Sequence, residues 1–279
     1  MTDIFTPEQK QVFSFPVKRT KLLNPAGHDT GSDSIYRTDT GTNLGVVSRE
    51  YKLISHKNLI TDVLKQFEEN KLPKVEPVKI AVSGMGSRLF AEFKFVDKFD
   101  LGIASTENKN VGDFIAPGFK ILNSYDRSLE YSLSLFCLRL ACTNGMTMTE
   151  QLFTGSRRHI YREGVNDMVT DFVEKFGGLK EIIIPAVRKL SDKEVTPSYL
   201  ENQLNGLPAW FRTEAISYLG DNNLVGLEEG EEGAELVMMK RMSEWDFYNS
   251  LTYVLSHSDE VSEENRNRQS NLVSATFGM

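Results

Sequence analysis

The stretch GFKILNSYDRSLEYSLSLFCLRLAC, residues 118–142, decides the fold class. GFKILNSY (118–125) and LEYSLSLFCLRLAC (129–142) are β-branched, aromatic and leucine-rich, and Asp126-Arg127 separates them as a turn. Leu129, Tyr131, Leu133 and Leu135 alternate with polar residues, the period of a strand with one covered face. Beyond Leu135 the run is apolar on both sides apart from Arg139, which predicts a central strand covered on both faces. Upstream, VKIAVS (78–83) and RLFAEFKFV (88–96) flank Gly84-Met85-Gly86 and read as a second hairpin with a glycine-permitted turn. These hairpins make an antiparallel sheet.

Helical text lies on both sides of it. LGVVSREYKLI (44–54) has strand character, and Ser55 caps a helix with Leu59, Ile60, Val63, Leu64 and Phe67 on one face. Residues 160–176 repeat the helical spacing through Met168, Phe172, Val173 and Phe176, and Gly177-Gly178 ends the run. Helices are predicted over 179–190, 197–205, 208–219 and 242–257, with an acidic, glycine-bearing break at 228–235. The expectation is an α+β fold: a strand–helix unit, then a strand–strand–strand–helix core, then a mostly helical C-terminal part. The boundaries expected are an irregular N-terminal arm at 1–43, the core at 44–178, the helical part at 179–257 and a polar tail at 258–279. Residues 97–117 read as a polar loop.

Composition bounds the function. With 40% hydrophobic and 25% charged residues in 279, the chain has material for a large core. There is no signal-peptide pattern at the N-terminus and no long apolar run, so a cytoplasmic location without membrane contact is expected. Cys137 and Cys142 make neither a disulfide framework nor a zinc site and are expected as small buried hydrophobes. The net charge of −7 is uneven: residues 221–279 hold twelve of the 39 acidic residues and only four of the 32 basic ones. The remainder is near neutral and can carry a basic groove on one face.

No catalytic constellation is visible. The four histidines are scattered, no Walker-type loop or G-x-S-x-G occurs, and Asp97, Asp100 and Asp113 are a weak metal set in a polar loop. A non-enzyme without metal or cofactor is expected. The suggestive cluster is Arg157, Arg158, His159 and Arg162 with Tyr161 between, since guanidinium groups bridge phosphates and a ring stacks on a base. The bland alternative is a set of solvated or ion-paired charges. Arg139, Arg127, Lys120, Arg49 and Lys52 are further candidates; alternation puts Arg49 and Tyr51 on one side of the first strand and Lys52 on the other. For Arg139 the competing reading is a structural ion pair. Trp210 and Trp245 read as core or interface anchors.

Four ordered blocks carry a family resemblance. YRTDTGTNLGVVSREYKLISHKNLI (36–60), ILNSYDRSLEYSLSLFCLRLACTNGM (121–146), RRHIYREG (157–164) and WDFYNSLT (245–252) resemble domain of unknown function 932. In its central block an Asn-Ser-aromatic-Asp turn leads into a strand ending in Arg, apolar, Cys, Thr/Ser, Asn, Gly. Tyr125 and Arg127 stand where that family often shows His and Gly. The resemblance implies a gene typical of phages and plasmids. The core order is also similar to ring-forming single-strand annealing proteins, in which a basic groove holds one backbone while the bases stay free to pair. That similarity implies single-stranded DNA as partner, annealing without ATP, and a homo-oligomeric ring or filament, with the acidic C-terminal region repelling non-specific binding or docking a protein. The alternative is an interaction protein that modulates a host complex, whose basic residues would scatter among carboxylates.

Overall fold

The computed structural model describes residues 4–104, 112–139, 145–146, 154–159, 165–230, 233–258 and 261–278. In chain order the elements are α1 (Pro7–Phe13), β1 (Val17–Leu23), β2 (Asp29–Arg37), β3 (Asn43–Ser48), α2 (His56–Glu69), β4 (Val75–Ser83), β5 (Arg88–Phe95), β6 (Phe99–Ala104), β7 (Gly112–Ser124), β8 (Tyr131–Arg139), β9 (Gly145–Met146), β10 (Thr154–Arg157), α3 (Val165–Gly177), α4 (Leu179–Ser191), α5 (Pro197–Asn205), α6 (Ala209–Asp221), β11 (Val225–Gly230), β12 (Gly233–Met238), α7 (Glu244–His257) and α8 (Glu263–Phe277). The sheets are antiparallel, and the chain is α+β with a helical C-terminal part. It divides into two units, residues 1–98, 116–136 and 152–178 against 99–115, 137–151 and 179–279. Among the described residues no helix is long and apolar enough to cross a membrane.

In the first unit, strands run in the order β10-β8-β7-β5-β4. Leu89, Ala91, Phe93 and Phe95 of β5 are buried, as the alternation requires, and Phe93 lies opposite Phe119 of β7 with their rings stacked at 4.8 Å. Ser55 caps α2 by accepting from the Asn58 N–H, and its apolar stripe ends at Phe67. Phe67 meets Phe119 edge-on at 4.8 Å and stacks on Phe172 of α3 at 5.0 Å. Aromatic pairs of this kind contribute about 0.5–1.5 kcal/mol each beyond the area they bury. The β4–β5 turn has Gly84, Met85 and Gly86 all at positive φ, the conformation the two glycines permit.

The described residues of the expected irregular arm, 4–43, are mostly regular structure. Thr6 and Gln9 form a capping box on α1, with Pro7 in its first turn. β1, β2 and β3 form a three-stranded meander. The β1–β2 connection is closed by Asn24, whose Oδ1 accepts from the Ala26 and His28 N–H groups, with Gly27 at positive φ. Few apolar residues mark these strands, because the meander buries only a small core of its own: Phe15, Ile35, Leu44, Val47, Tyr51 and Tyr125.

The strand expected at 44–54 ends early, at Ser48. Arg19 explains the break. Its guanidinium donates to the carbonyls of Ser48 (3.1 Å), Arg49 (2.8 Å) and Tyr51 (2.6 Å) while its Nε holds Asp33 at 2.5 Å. Carbonyls bound this way turn the chain out of extended pairing, so the alternation expected for Arg49, Tyr51 and Lys52 does not apply. Just before this break, a Cβ on Gly45 would lie 2.6 Å from the Tyr125 carbonyl oxygen and 2.7 Å from the Asp126 Cα. Both contacts are backbone, which cannot swing aside. Gly45→Ala is expected to cost about 2 kcal/mol in chemical denaturation; an unchanged midpoint would show that the meander moves freely against the 125–126 turn.

In the second unit, β6 pairs with the start of β7 and β9 with the end of β8. The loop expected at 97–117 therefore holds strand at both ends, and 105–111 lie outside the described residues. The acidic break at 228–235 falls in the β11–β12 hairpin. α7 starts with a Ser243–Asp246 capping box and buries Trp245, Phe247, Tyr248, Leu251 and Leu255. The polar tail expected at 258–279 is instead mostly α8. Ser262 caps it, Phe277 packs edge-on to Phe247 and Tyr248, and Ser274 bonds the Tyr248 hydroxyl at 3.1 Å. Arg266 binds the Leu255 and Ser258 carbonyls at the end of α7, so its charge serves a cap that composition does not show.

Candidate functional site

The centre of the first unit is a polar network within the core. Asn123, fully buried near the end of β7, donates from Nδ2 to the Ile54 carbonyl (3.0 Å) and to His56 Nδ1 (3.0 Å). A carbonyl only accepts, so the amide orientation is fixed, and with it the tautomer: His56 carries its proton on Nε2 and donates it to the Gly86 carbonyl at 3.0 Å. The Tyr125 hydroxyl accepts from the His56 backbone N–H at 2.8 Å, and the two rings stack at 4.1 Å. Burial pushes the His56 pKa down to about 4, against the pull of the Gly86 carbonyl. Burial raises that of Tyr125. This is a neutral, locked network, with a positioning role and no poised acid or base.

The turn after Asn123 extends it. The Ser124 hydroxyl donates to the Leu129 carbonyl at 2.8 Å and accepts from the Leu129 N–H. Asp126 accepts from Arg88 Nε at 2.9 Å and from the Ser128 N–H, which pins the turn against β5. Tyr51 donates its hydroxyl to the Ser124 carbonyl at 2.6 Å. Burial raises the Tyr51 pKa, Tyr125 and Asp126 add to this, and the nearby charge of Arg127 opposes it.

His159 stacks on Tyr51 at 4.5 Å and meets the edge of Tyr131 at 5.3 Å. Its carbonyl accepts from the Lys52 N–H at 2.5 Å, and its Nδ1–H donates to the Lys52 carbonyl at 3.2 Å. Residues 107 positions apart are thus tied together. His159 is buried, and desolvation lowers its pKa. It is a wedge between elements and presents no surface to a phosphate. Its exposed neighbours, Lys52 and Arg158, project from the same junction, and Arg127 lies close enough for its charge to reach the Tyr51 hydroxyl.

The other candidates are placed as follows. Arg158, 69% exposed in its side chain, lies 3.2 Å from Glu130. Arg157 closes β10 as a strand residue, opposite Tyr131, and reaches Asp171 at 3.6 Å. Arg49 is 53% exposed and pairs with Asp29. Lys120 is only 9% exposed and bonds Glu92, its register partner on β5, at 2.9 Å. Arg127 sits at positive φ in the exposed turn. Arg139 lies in β8, but its side chain is outside the described part, as are Tyr161, Arg162, Cys142 and Asn144 entirely. Cys137 is buried, as expected of a small hydrophobe. Among the described residues no group of three or more His, Cys, Asp or Glu could hold a metal ion.

The model of one protein family, the domain of unknown function DUF932, matches residues 43–276. The chain belongs to the DUF932 family. No curated protein and no solved structure matches it. In this DUF932 chain the Asn-Ser-Tyr-Asp text of the central block is the turn just described, and the 44–60 and 157–159 texts supply its Tyr51, His56 and His159 contacts. Sequence reasoning passed over His56 and Asn123 as chemistry. The available signal was the placement of Asn123: an amide that directly follows the apolar Ile121-Leu122 pair near a strand end must find partners once buried.

Proposed function

We propose that the chain binds single-stranded DNA on the cationic rim formed by Lys52, Arg127, Arg158 and Arg49, and that it promotes annealing without a nucleotide cofactor. The observation that carries this reading is the pair of hydrogen bonds between Lys52 and His159, one backbone to backbone and one from the His159 ring to the Lys52 carbonyl, which brings two sequence-distant cations, Lys52 and Arg158, to one exposed junction. Magnitudes sort the candidates. Exposed pairs such as Arg158–Glu130 contribute only about 0–1 kcal/mol, so a phosphate displaces the carboxylate readily. Lys120 is different, because its ammonium is buried and pulling it away from Glu92 breaks a largely desolvated pair. The strand therefore meets the rim and not the β5–β7 face. Four cations per copy make a short track, and an oligomer would join such rims into a longer one. Annealing is then positional, an extended strand presenting its bases to a second.

The test is binding of a fluorescent single-stranded oligonucleotide over a salt series, with duplex as competitor, followed by annealing without ATP. Four phosphates on a single strand predict a log–log slope of about −3, and Lys52→Ala with Arg158→Ala flattens it by about 1.4. Absence of binding at low salt from a folded sample overturns the proposal. A second reading, an interaction protein of phage type that modulates a host complex, is supported by the carboxylate partners of Arg49, Lys120, Arg157 and Arg158. It becomes the better one in that case.

A further inference from the structure

We propose that the groove between α6 and α7 binds an arginine side chain of a partner protein. It lies wholly in the second unit, so the inference stands apart from the strand-binding rim. The groove is open and of about 230 Å³. α6 lines it with Glu214, Tyr218 and Asp221, a four- and three-residue spacing that sets them along one stripe, and α7 with Tyr253 and His257 one turn apart. Tyr218 stacks on Tyr253 at 4.4 Å with planes 26° apart, and Tyr253 stacks on His257 at 3.9 Å and 18°. The result is a ladder of flat rings bordered by carboxylates.

The ligand class follows from charge and shape. Glu214 accepts from the Ser258 hydroxyl at 3.3 Å, and neither it nor Asp221 has an ion pair among the described residues. Asp29, Glu92, Asp126 and Glu130, by contrast, each hold a cation. Glu214, Asp221 and His257 line the groove without converging as ligands, and among the described residues no group of three or more His, Cys, Asp or Glu could hold a metal ion. Tyr253 is the middle ring of the ladder, so the ladder's outer faces, set beside carboxylates, are what suit an organic cation. Among these, guanidinium fits best: it is planar, stacks on rings, is weakly hydrated, and forks onto a carboxylate, whereas ammonium is a strongly hydrated point charge. The excess acidity of residues 221–279 draws a basic segment toward this unit at long range.

The experiment uses the full chain and two labelled peptides, one carrying three arginines spaced by Gly-Ser and one with lysine in their place, read by fluorescence anisotropy. The expected result is preference for the arginine peptide, weakened about tenfold by Glu214→Gln with Asp221→Asn, since charge-assisted bonds are roughly twice as strong as neutral ones. Tyr253→Leu, which keeps apolar bulk without a ring, should abolish the arginine preference. Glu228→Gln with Glu229→Gln, on β11, should leave binding unchanged. Equal binding of both peptides, or equal loss from the β11 variant, would mean unspecific attraction to an acidic protein and would overturn the proposal. Circular dichroism melts confirm that each variant is folded. The groove variants should leave oligonucleotide binding intact, so failure here and failure of the strand-binding proposal are separable.

Discussion

Replacing Asn123 with alanine is expected to lower the unfolding free energy by about 3–5 kcal/mol, a large part of the stability of an ordinary domain. Two bonds disappear at once, a part-buried one to the Ile54 carbonyl and a buried one to His56 Nδ1. Their loss is not the whole effect. His56 Nδ1 stays buried without a donor, which costs about 1–3 kcal/mol, the part-buried Ile54 carbonyl loses its side-chain donor, and removing the fully buried amide leaves a void beside His56. His56 also loses what fixes its tautomer, so its bond to Gly86 is no longer held in one sense. Urea unfolding followed by far-UV circular dichroism is the appropriate measurement, because Trp210 and Trp245 both lie in the second unit and report on it. A loss below about 1 kcal/mol would show that water takes the place of the amide, and would remove Asn123 from its positioning role.

The same residue marks the boundary between what is legible in sequence and what is not. The β4–β5 hairpin and α2 follow from a period and a cap, alternation along 89–95 and Ser55 before an apolar stripe, and the helices from α4 to α7 lie close to the spans read from the text. These are local signals, complete within about a dozen residues. β1 and β2 were hidden because their partner layer is small, so most of their side chains stay polar, and what holds them is Arg19 reaching carbonyls some 30 residues away. α8 was hidden for a related reason. Its low apolar content is compensated by Arg266 and Ser274, polar side chains whose partners lie on α7 and just beyond its end.

For the candidate site the divide is sharper. Composition marks cations but not their partners, and the partners decide function. Arg157 and Arg158 are adjacent in sequence, yet one meets Asp171 on a helix and the other Glu130 before β8. Lys120 looks like its neighbours in the text, and only the β5–β7 register assigns it to Glu92. His159 belongs to the basic cluster by spacing and to the core by burial, because Tyr51 provides a ring on which it stacks. Long-range pairing of this sort has no local signature.

Acidification should destabilise the first unit well before carboxylates protonate. His56 has its folded pKa pushed down to about 4 from an ordinary value of 6.5, so the folded state holds the ring neutral. An unfolded chain takes up that proton as pH falls through 6.5, and the folded one does not until pH nears 4. The contribution is therefore fully present above about pH 6.5 and is lost across the window down to about 4, roughly 3 kcal/mol over the whole span and about 2 kcal/mol by pH 5. His159 is shifted in the same direction by burial and adds to the loss. The geometry agrees: a proton on His56 Nδ1 would face the Asn123 Nδ2 hydrogens, donor against donor. The unfolding free energy from urea titrations should fall between pH 7.5 and pH 5 for the native chain and fall by about 2 kcal/mol less for His56→Gln, which cannot titrate at that position. If that variant does not fold, an imidazole titration of the native chain by NMR decides the point alone. A His56 resonance that titrates with an ordinary midpoint would mean that water reaches the ring, and the lock between β7 and the start of α2 would then be open on the timescale of proton exchange.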